Sequence, residues 1–291
     1  MCAAGIITMI GYKAILFNDL LWRENQGGLF LLSPPGRLKN FDHETAKQLL
    51  KTSGQLFIRW ESEFDNVVES PWWHVIRDEP LLIHGLSKKM RYQIRRGINS
   101  FRCEPVSRSV ILSLGYDVYK KAYKRYETHE KEYTEVEFLE SVYSLPEQTE
   151  FWGVWSKSTS ELVAFSENYV EYNTCCFISM WFDPSSLKDY SSYVLFFEMI
   201  SHYINDRNFR YVSNGSRNLS HDTNIHEFLI NKFDFHKAHA KLNVEYVSWL
   251  RFLVAVSYPF RLFLGKVPLK LFQKLSILLT QEDISRSCAK S

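Results

Sequence analysis

The chain reads as an α/β protein with a mixed, mostly antiparallel sheet flanked by helices, and three observations carry that reading. From Phe151 to Tyr246, strand-like runs and helical runs follow one another in the order β, β, β, α, β, α, β. Shorter strand-like runs bounded by turn residues precede them, so a reduced α/β lobe is expected at the amino-terminal end. Aromatic residues make up 15% of a chain that is 45% apolar, which suits a packed sheet.

In chain order, Leu29 to Ser33, Leu56 to Glu61 and Trp73 to Arg77 are strand-like, Ser33-Pro-Pro-Gly is a turn and Glu44 to Lys51 is helical. From Ser87 to Phe101 the spacing predicts a helix with Met90, Ile94, Gly97, Ile98 and Phe101 on one face and Lys88, Arg91, Arg95 and Arg102 on another. Six basic residues between Lys88 and Arg102 meet no acidic one. Such a run is either a solvated face or a phosphate-binding surface, since guanidinium forks bind phosphate bidentately. Ser109 to Leu145 reads as two polar helices, the first with Tyr116, Tyr119, Tyr123 and Tyr126 in a stripe of the kind that packs on a sheet.

Phe151 to Trp155, Leu162 to Tyr172 and Thr174 to Phe182 are three successive strands, the last two joined as a hairpin through Asn173. After the irregular Asp183–Asp189, Ser191 or Ser192 caps a helix whose Tyr193, Phe196, Phe197, Ile200, Tyr203 and Ile204 recur at helical spacing. Phe209 to Ser213 is a fourth strand, followed by a polar loop. Asn224 and Glu227 then start a helix as a capping box, and His236 to Tyr246 alternates as one more strand. The stretch from Trp249 to Leu279 mixes apolar runs with five basic residues and no acidic one, and is broken by Pro259 and Pro268. It either lies on an anionic membrane surface or packs back onto the first lobe, and the second is favoured because soluble helices bury such stripes routinely.

Composition excludes several classes. A net charge of +2 argues against free binding to arbitrary nucleic acid, and no sequence-specific nucleic-acid contact is expected. Five cysteines without metal spacing fit a reducing cytoplasm, and no signal peptide is legible at the start. Histidine spacings build no metal site, so no metal is expected. No Gly-x-Ser-x-Gly elbow appears either.

The basic run Ser87-Lys-Lys-Met-Arg-Tyr-Gln-Ile-Arg-Arg-Gly, with Tyr211-Val-Ser-Asn-Gly, Thr223-Asn-Ile-His-Glu-Phe-Leu, Lys232-Phe-Asp-Phe and Asn243-Val-Glu-Tyr, resembles the Fem-like branch of the GNAT acyltransferase superfamily. The resemblance implies a GNAT-like fold in three parts: a reduced lobe over 1–105 that includes the basic helix 87–101, an acyltransferase lobe over 106–246, and a basic amphipathic tail over 247–291. It also implies direct transfer of an acyl or aminoacyl group to an amine acceptor in cell-envelope or polysaccharide metabolism. Acyl-CoA or aminoacyl-tRNA would be the anionic donor substrate, with no bound cofactor. The expected location is the cytoplasm, with peripheral contact at the inner face of an anionic membrane through 249–279 as the alternative to packing of that stretch on the protein.

In such a fold the donor carbonyl sits near Met180 to Phe182, beside Asp183. The start of the next helix, at Lys188, Tyr190, Ser191 and Ser192, holds donor phosphate together with Arg91 and Arg95. Asn214, Arg217, Asp222, Tyr126 and Glu127 face the acceptor, with His129 near them; His221 is the first choice of catalytic base and Asp183 the second catalytic candidate. Leu187-Lys-Asp-Tyr-Ser-Ser-Tyr has no glycine, unlike the pyrophosphate loop of acetyl-CoA users, so acetyl-CoA is expected to be a poor donor. The alternative is a catalytically inert relative that binds an anionic glycolipid or a protein partner.

Overall fold

The structure, a computed structural model, describes residues 5–7, 14–38, 40–125, 131–219, 224–264 and 270–289. Four strands, β1 (Gly5–Ile7), β2 (Ala14–Phe17), β3 (Leu20–Asn25) and β4 (Gly28–Leu31), lead through α1 (His43–Ser53) to β5 (Phe57–Asn66) and β6 (Trp72–Arg77). Then come α2 (Lys88–Ser100), β7 (Phe101–Val106), α3 (Arg108–Tyr123), α4 (Glu135–Tyr143), β8 (Thr149–Ser156), β9 (Leu162–Glu171) and β10 (Thr174–Phe182). The chain closes with α5 (Ser191–Ile200), β11 (Tyr211–Ser216), α6 (Asn224–Phe233), β12 (His236–Tyr246), α7 (Ser248–Ser257), α8 (Arg261–Leu264) and α9 (Lys270–Cys288).

Two compact units result: 1–74 with 216–224 and 237–291, and 75–215 with 225–236. This division differs from a cut at residue 105. The basic helix α2 belongs to the second unit, and the carboxyl-terminal helices join the first rather than forming a separate tail. The cause is a return of the chain, since β12 pairs antiparallel with β5 and so draws everything after it to that unit.

In the first unit the strand order is β1, β2, β3, β4, β5, β12, antiparallel except for the parallel pair β4 and β5. Pleat alternation sends Ile58 and Trp60 of β5 to one face, where Trp22, Leu29 and Leu49 bury with them, and Phe57 to the other. On that second face Phe57 and Trp72 meet Leu242, Val244 and Tyr246 of β12, Leu250 and Val254 of α7, and Leu279 and Ile284 of α9. Each fully buried Leu or Val there contributes about 1.5–3 kcal/mol. The carboxyl-terminal helices therefore pack back onto the first lobe, the option the sequence favoured. Among the described residues no helix is long and apolar enough to cross a membrane.

The second unit orders its strands β11, β10, β9, β8, β7, antiparallel except for the parallel pair β10 and β11. One face is covered by α5, whose Met199 sulfur accepts hydrogen bonds from Ser166 (3.0 Å) and Asn168 (3.2 Å) of β9, and whose Phe196 ring lies 6.0 Å from Phe177 of β10. The opposite face is covered by α3 and α4, where Phe138 meets Phe165 and the buried Tyr119 meets Trp181. Tyr119, the buried member of the tyrosine stripe, is thus packing, while Tyr126 lies outside the described residues.

Strands β1, β2, β3 and β7 were not foreseen. The β2–β3 hairpin turns on Asn18 and Asp19, both left-handed at φ 50° and 57°, in a stretch with no glycine to announce it. Strand β7 begins at Phe101, one residue after α2 ends, where sequence periodicity alone gives no break.

Candidate active site

Strands β10 and β11 are ladder partners only at Thr174, Cys175 and Cys176 with Tyr211, Val212 and Ser213. Beyond Cys176, β10 runs six more residues while staying paired with β9. Alternate amides of a strand point to opposite edges, so every second N–H of this stretch faces the side that β11 has left. These are the backbone donors that an oxyanion needs.

A bulge at Ile178 falls in the same stretch: Phe177 pairs with Asn168, but Ser179 pairs with Glu167. The extra residue reverses the alternation. Phe177 faces α5, whereas Ser179 and Trp181 face α3 and α4. Glu167 shares that second face, is only 8% exposed, and accepts a 2.6 Å hydrogen bond from Ser179 Oγ. A carboxylate seated in the interior of a sheet beside a break in the ladder is a candidate general base. Sequence reading passed over Glu167. Its signal was a lone acid inside the strand-like run Leu162 to Val170.

The connection from β10 to α5 is tightly stapled. Asp183 accepts from the Ser185 amide (2.9 Å) and hydroxyl (2.7 Å), and pairs with Lys121 of α3 at 3.0 Å. Burial works to raise its pKa, but the bonds from Ser185 and Lys121 outweigh this and hold the carboxyl below its ordinary value. Those partners make Asp183 a loop fastener held ionised, ill suited to taking a proton near pH 7. Ser186 donates to the Asp183 carbonyl and bonds the Ser191 hydroxyl at 2.7 Å, so Ser191, fully buried, is committed internally.

The first turn of α5 has no side-chain cap and no acidic residue. Tyr190 precedes it in the left-handed region at φ 69°, its ring edge-on to Tyr193 at 5.5 Å. Ser192 is half-buried and Lys188 exposed. Helix α2 lies directly against this turn at Gly97, where a Cβ would fall 2.9 Å from the Tyr190 carbonyl oxygen and 2.4 Å from a Val194 methyl. Arg96 adds an ion pair to Asp189 at 3.6 Å. The basic helix and the start of α5 are therefore neighbours, as a shared donor site requires. Within that helix the two named arginines differ. Arg91 donates to the His84 and Leu86 carbonyls and so braces the turn before α2, while Arg95 is exposed.

On β11, Asn214 is half-buried just past the ladder, and its carbonyl lies 3.3 Å from Nε2 of buried His226 on α6. Gly215 follows in the left-handed region at φ 78°. Arg217 belongs to the first unit, its guanidinium bonded to the Pro71 carbonyl at 2.8 Å and its amide to that of Trp73. This gives it a bracing role there. His221, Asp222, Tyr126, Glu127 and His129 lie outside the described residues. Among the described residues no group of three or more His, Cys, Asp or Glu could hold a metal ion.

No protein-family model matches the chain, and no curated protein matches it either. Solved structures do. FemX superposes with a TM-score of 0.52 at 8% identity, over 84% of this chain and 90% of that one. The carboxyl-terminal domain of a putative lysylphosphatidylglycerol synthetase from Agrobacterium fabrum gives 0.49 at 12% identity, over 86% and 89%. The L-PGS structure from Bacillus licheniformis gives 0.49 at 14% identity, over 93% and 90%. Identities this low speak to architecture alone, and that architecture, a mostly antiparallel sheet flanked by helices with one strand parting from its parallel neighbour, is a GNAT-like, Fem-like fold.

Proposed function

We propose that the chain is a cytoplasmic acyl- or aminoacyl-transferase that passes its group directly to an amine acceptor in cell-envelope or polysaccharide metabolism. The observation that carries this reading is the opening of the β10–β11 ladder after Cys176, at a bulge that turns Ser179 and Trp181 to the face of buried Glu167. The donor, an aminoacyl-tRNA or an acyl-CoA, lies on the α5 side with its phosphates near Arg95, Lys188 and Ser192. Its carbonyl meets the freed β10 amides.

The acceptor amine attacks the carbonyl carbon from the α3 and α4 face. A C–N bond forms and the carbonyl electron pair moves to oxygen. Glu167 or His221 takes the proton shed by the nitrogen, and collapse of that intermediate breaks the bond to the donor's ester oxygen or thioester sulfur, which leaves carrying that same proton back from the base. No covalent enzyme intermediate and no bound cofactor enter this scheme.

The test is to incubate the full chain with charged tRNAs and acyl-CoAs in turn, each with a panel of amine acceptors, and to follow acceptor mass. One donor should add its acyl mass to one acceptor, and acetyl-CoA should be among the poorer donors because no glycine opens the α5 loop. A second reading, an inert module binding an anionic glycolipid or a protein partner, is favoured by the absence of glycine from Leu187-Lys-Asp-Tyr-Ser-Ser-Tyr. Glycolipid binding with no mass transfer from any donor would establish that reading and remove the first.

A further inference from the structure

Helix α7 is apolar on more than the side it buries. Its inner face, Leu250 and Val254, is in the core of the first unit. The outer face presents Trp249 (59% exposed), Phe252 (72%), Leu253 and Val256 to solvent. The exposed apolar surface continues through Phe260 into α8, where Leu262 and Phe263 are 75% and 74% exposed. Seven large side chains in fifteen residues exceed the scattered apolar exposure that any surface carries, and a helix apolar all round calls for cover on its free side.

Charge selects the cover. From 249 to 279 the sequence has five cations and no acid. Arg251 and Lys274 are exposed, and Arg261 is partly so. Arg251 and Arg261 also pair with Glu245 and Asp283, which fixes their stems against the protein. A second copy of this chain docked about a twofold axis would bring a cation-only stretch against itself, with no carboxylate in the run to meet it. An anionic bilayer meets both demands, since aromatic and Leu side chains enter the headgroup boundary while Arg and Lys reach the phosphates.

The geometry points to the outer face of α7 and α8 as a docking surface for an anionic membrane, on which the protein lies without spanning. The inference is independent of the transfer chemistry. It is tested by cosedimentation of the full chain with vesicles of phosphatidylcholine alone and with roughly one third phosphatidylglycerol. Anionic vesicles should bind it the more strongly, by about fivefold for each basic residue engaged, and raised salt should erode that preference. A triple variant, Phe252→Ser with Leu262→Ser and Phe263→Ser, should lose vesicle binding with an unchanged melting temperature, because all three side chains face solvent. Lys274→Glu gives a second reading that leaves the apolar face intact and should weaken anionic binding alone. Failure to bind either vesicle would overturn the proposal. So would a dimer in lipid-free solution that the triple variant disperses, since the face would then belong to a second copy.

Discussion

Two crossovers in this chain, β4–α1–β5 and β10–α5–β11, follow one plan and end differently. Each links parallel strands through a helix, and each parallel ladder is three pairs long. In the first, the ladder uses up β4, which ends one residue later at Leu31, and the space beyond is filled. Phe57 packs onto Gly28, and the Arg59 guanidinium lies 4.4 Å from the Phe30 ring and 5.1 Å from that of Trp72. The start of α1 is sealed by the Asp42 carboxylate, which accepts from the Thr45 amide at 2.8 Å. In the second, β10 outruns its ladder by six residues, the start of α5 has no carboxylate cap, and a buried acid stands at the bulge. The same supersecondary unit serves as packing in one place and, in the proposed reading, as a reaction site in the other, and what separates them is strand length and one bulge.

Two of the buried glutamates, Glu61 and Glu167, sharpen this contrast. Glu61 of β5 accepts from Trp72 Nε1 at 3.2 Å and faces His74 Nε2 at 3.3 Å. Burial pushes its pKa up, and the hydrogen bond and charge of His74, with Arg59, more than reverse this. Burial also lowers the Arg59 pKa to about 10, so it remains a cation at neutral pH. Glu61→Leu leaves that cation without its counter-charge, and denaturant titration should show a loss of about 3–5 kcal/mol. Because the folded carboxyl pKa is depressed, the parent's Glu61 contribution is present above the ordinary carboxylate range and fades as pH falls through the lowered value. The variant's deficit should therefore shrink in acid.

Glu167→Gln should do the reverse. It keeps the shape and the bond to Ser179, so the melting temperature should hardly move while transfer slows by roughly a hundredfold or more, the usual contribution of a general base. Parent-like turnover would return the role to His221.

Gly97→Ala probes the seam between α2 and α5. Helix propensity alone would favour alanine by about 1 kcal/mol, yet its Cβ meets the Tyr190 carbonyl and Val194, and overpacking of this kind costs about 1–3 kcal/mol. A net loss of stability with weaker donor binding is expected. A stabilised variant would show that the seam is loose.

The smallest effects separate Arg95 from Arg91. Arg95→Gln should flatten the salt dependence of donor binding at constant melting temperature, whereas Arg91→Gln, which removes bonds to two carbonyls, should lower that temperature instead.

Much of the fold was legible because periodicity and turn residues agreed along the chain from Phe151 to Tyr246, where the hairpin through Asn173 and the strand His236–Tyr246 appear as read. The β2–β3 hairpin was not legible, since its left-handed Asn18 and Asp19 carry no glycine. The site was legible in part. A cap residue looks the same in sequence whether or not it binds a ligand, and only the Ser186–Ser191 bond assigns Ser191 to the loop. Glu167 was hidden because its meaning depends on a bulge in the neighbouring strand, and a bulge is a property of register between two strands.

The central claim is that one crossover is the donor site and the other is packing. Hydrogen–deuterium exchange of the full chain with and without a charged tRNA or an acyl-CoA that it binds tests this directly. Slowed exchange at Ile178–Phe182 and over the first turn of α5, with β4 and the first turn of α1 unchanged, is the predicted result. Protection at α1, or none at β10, would contradict it.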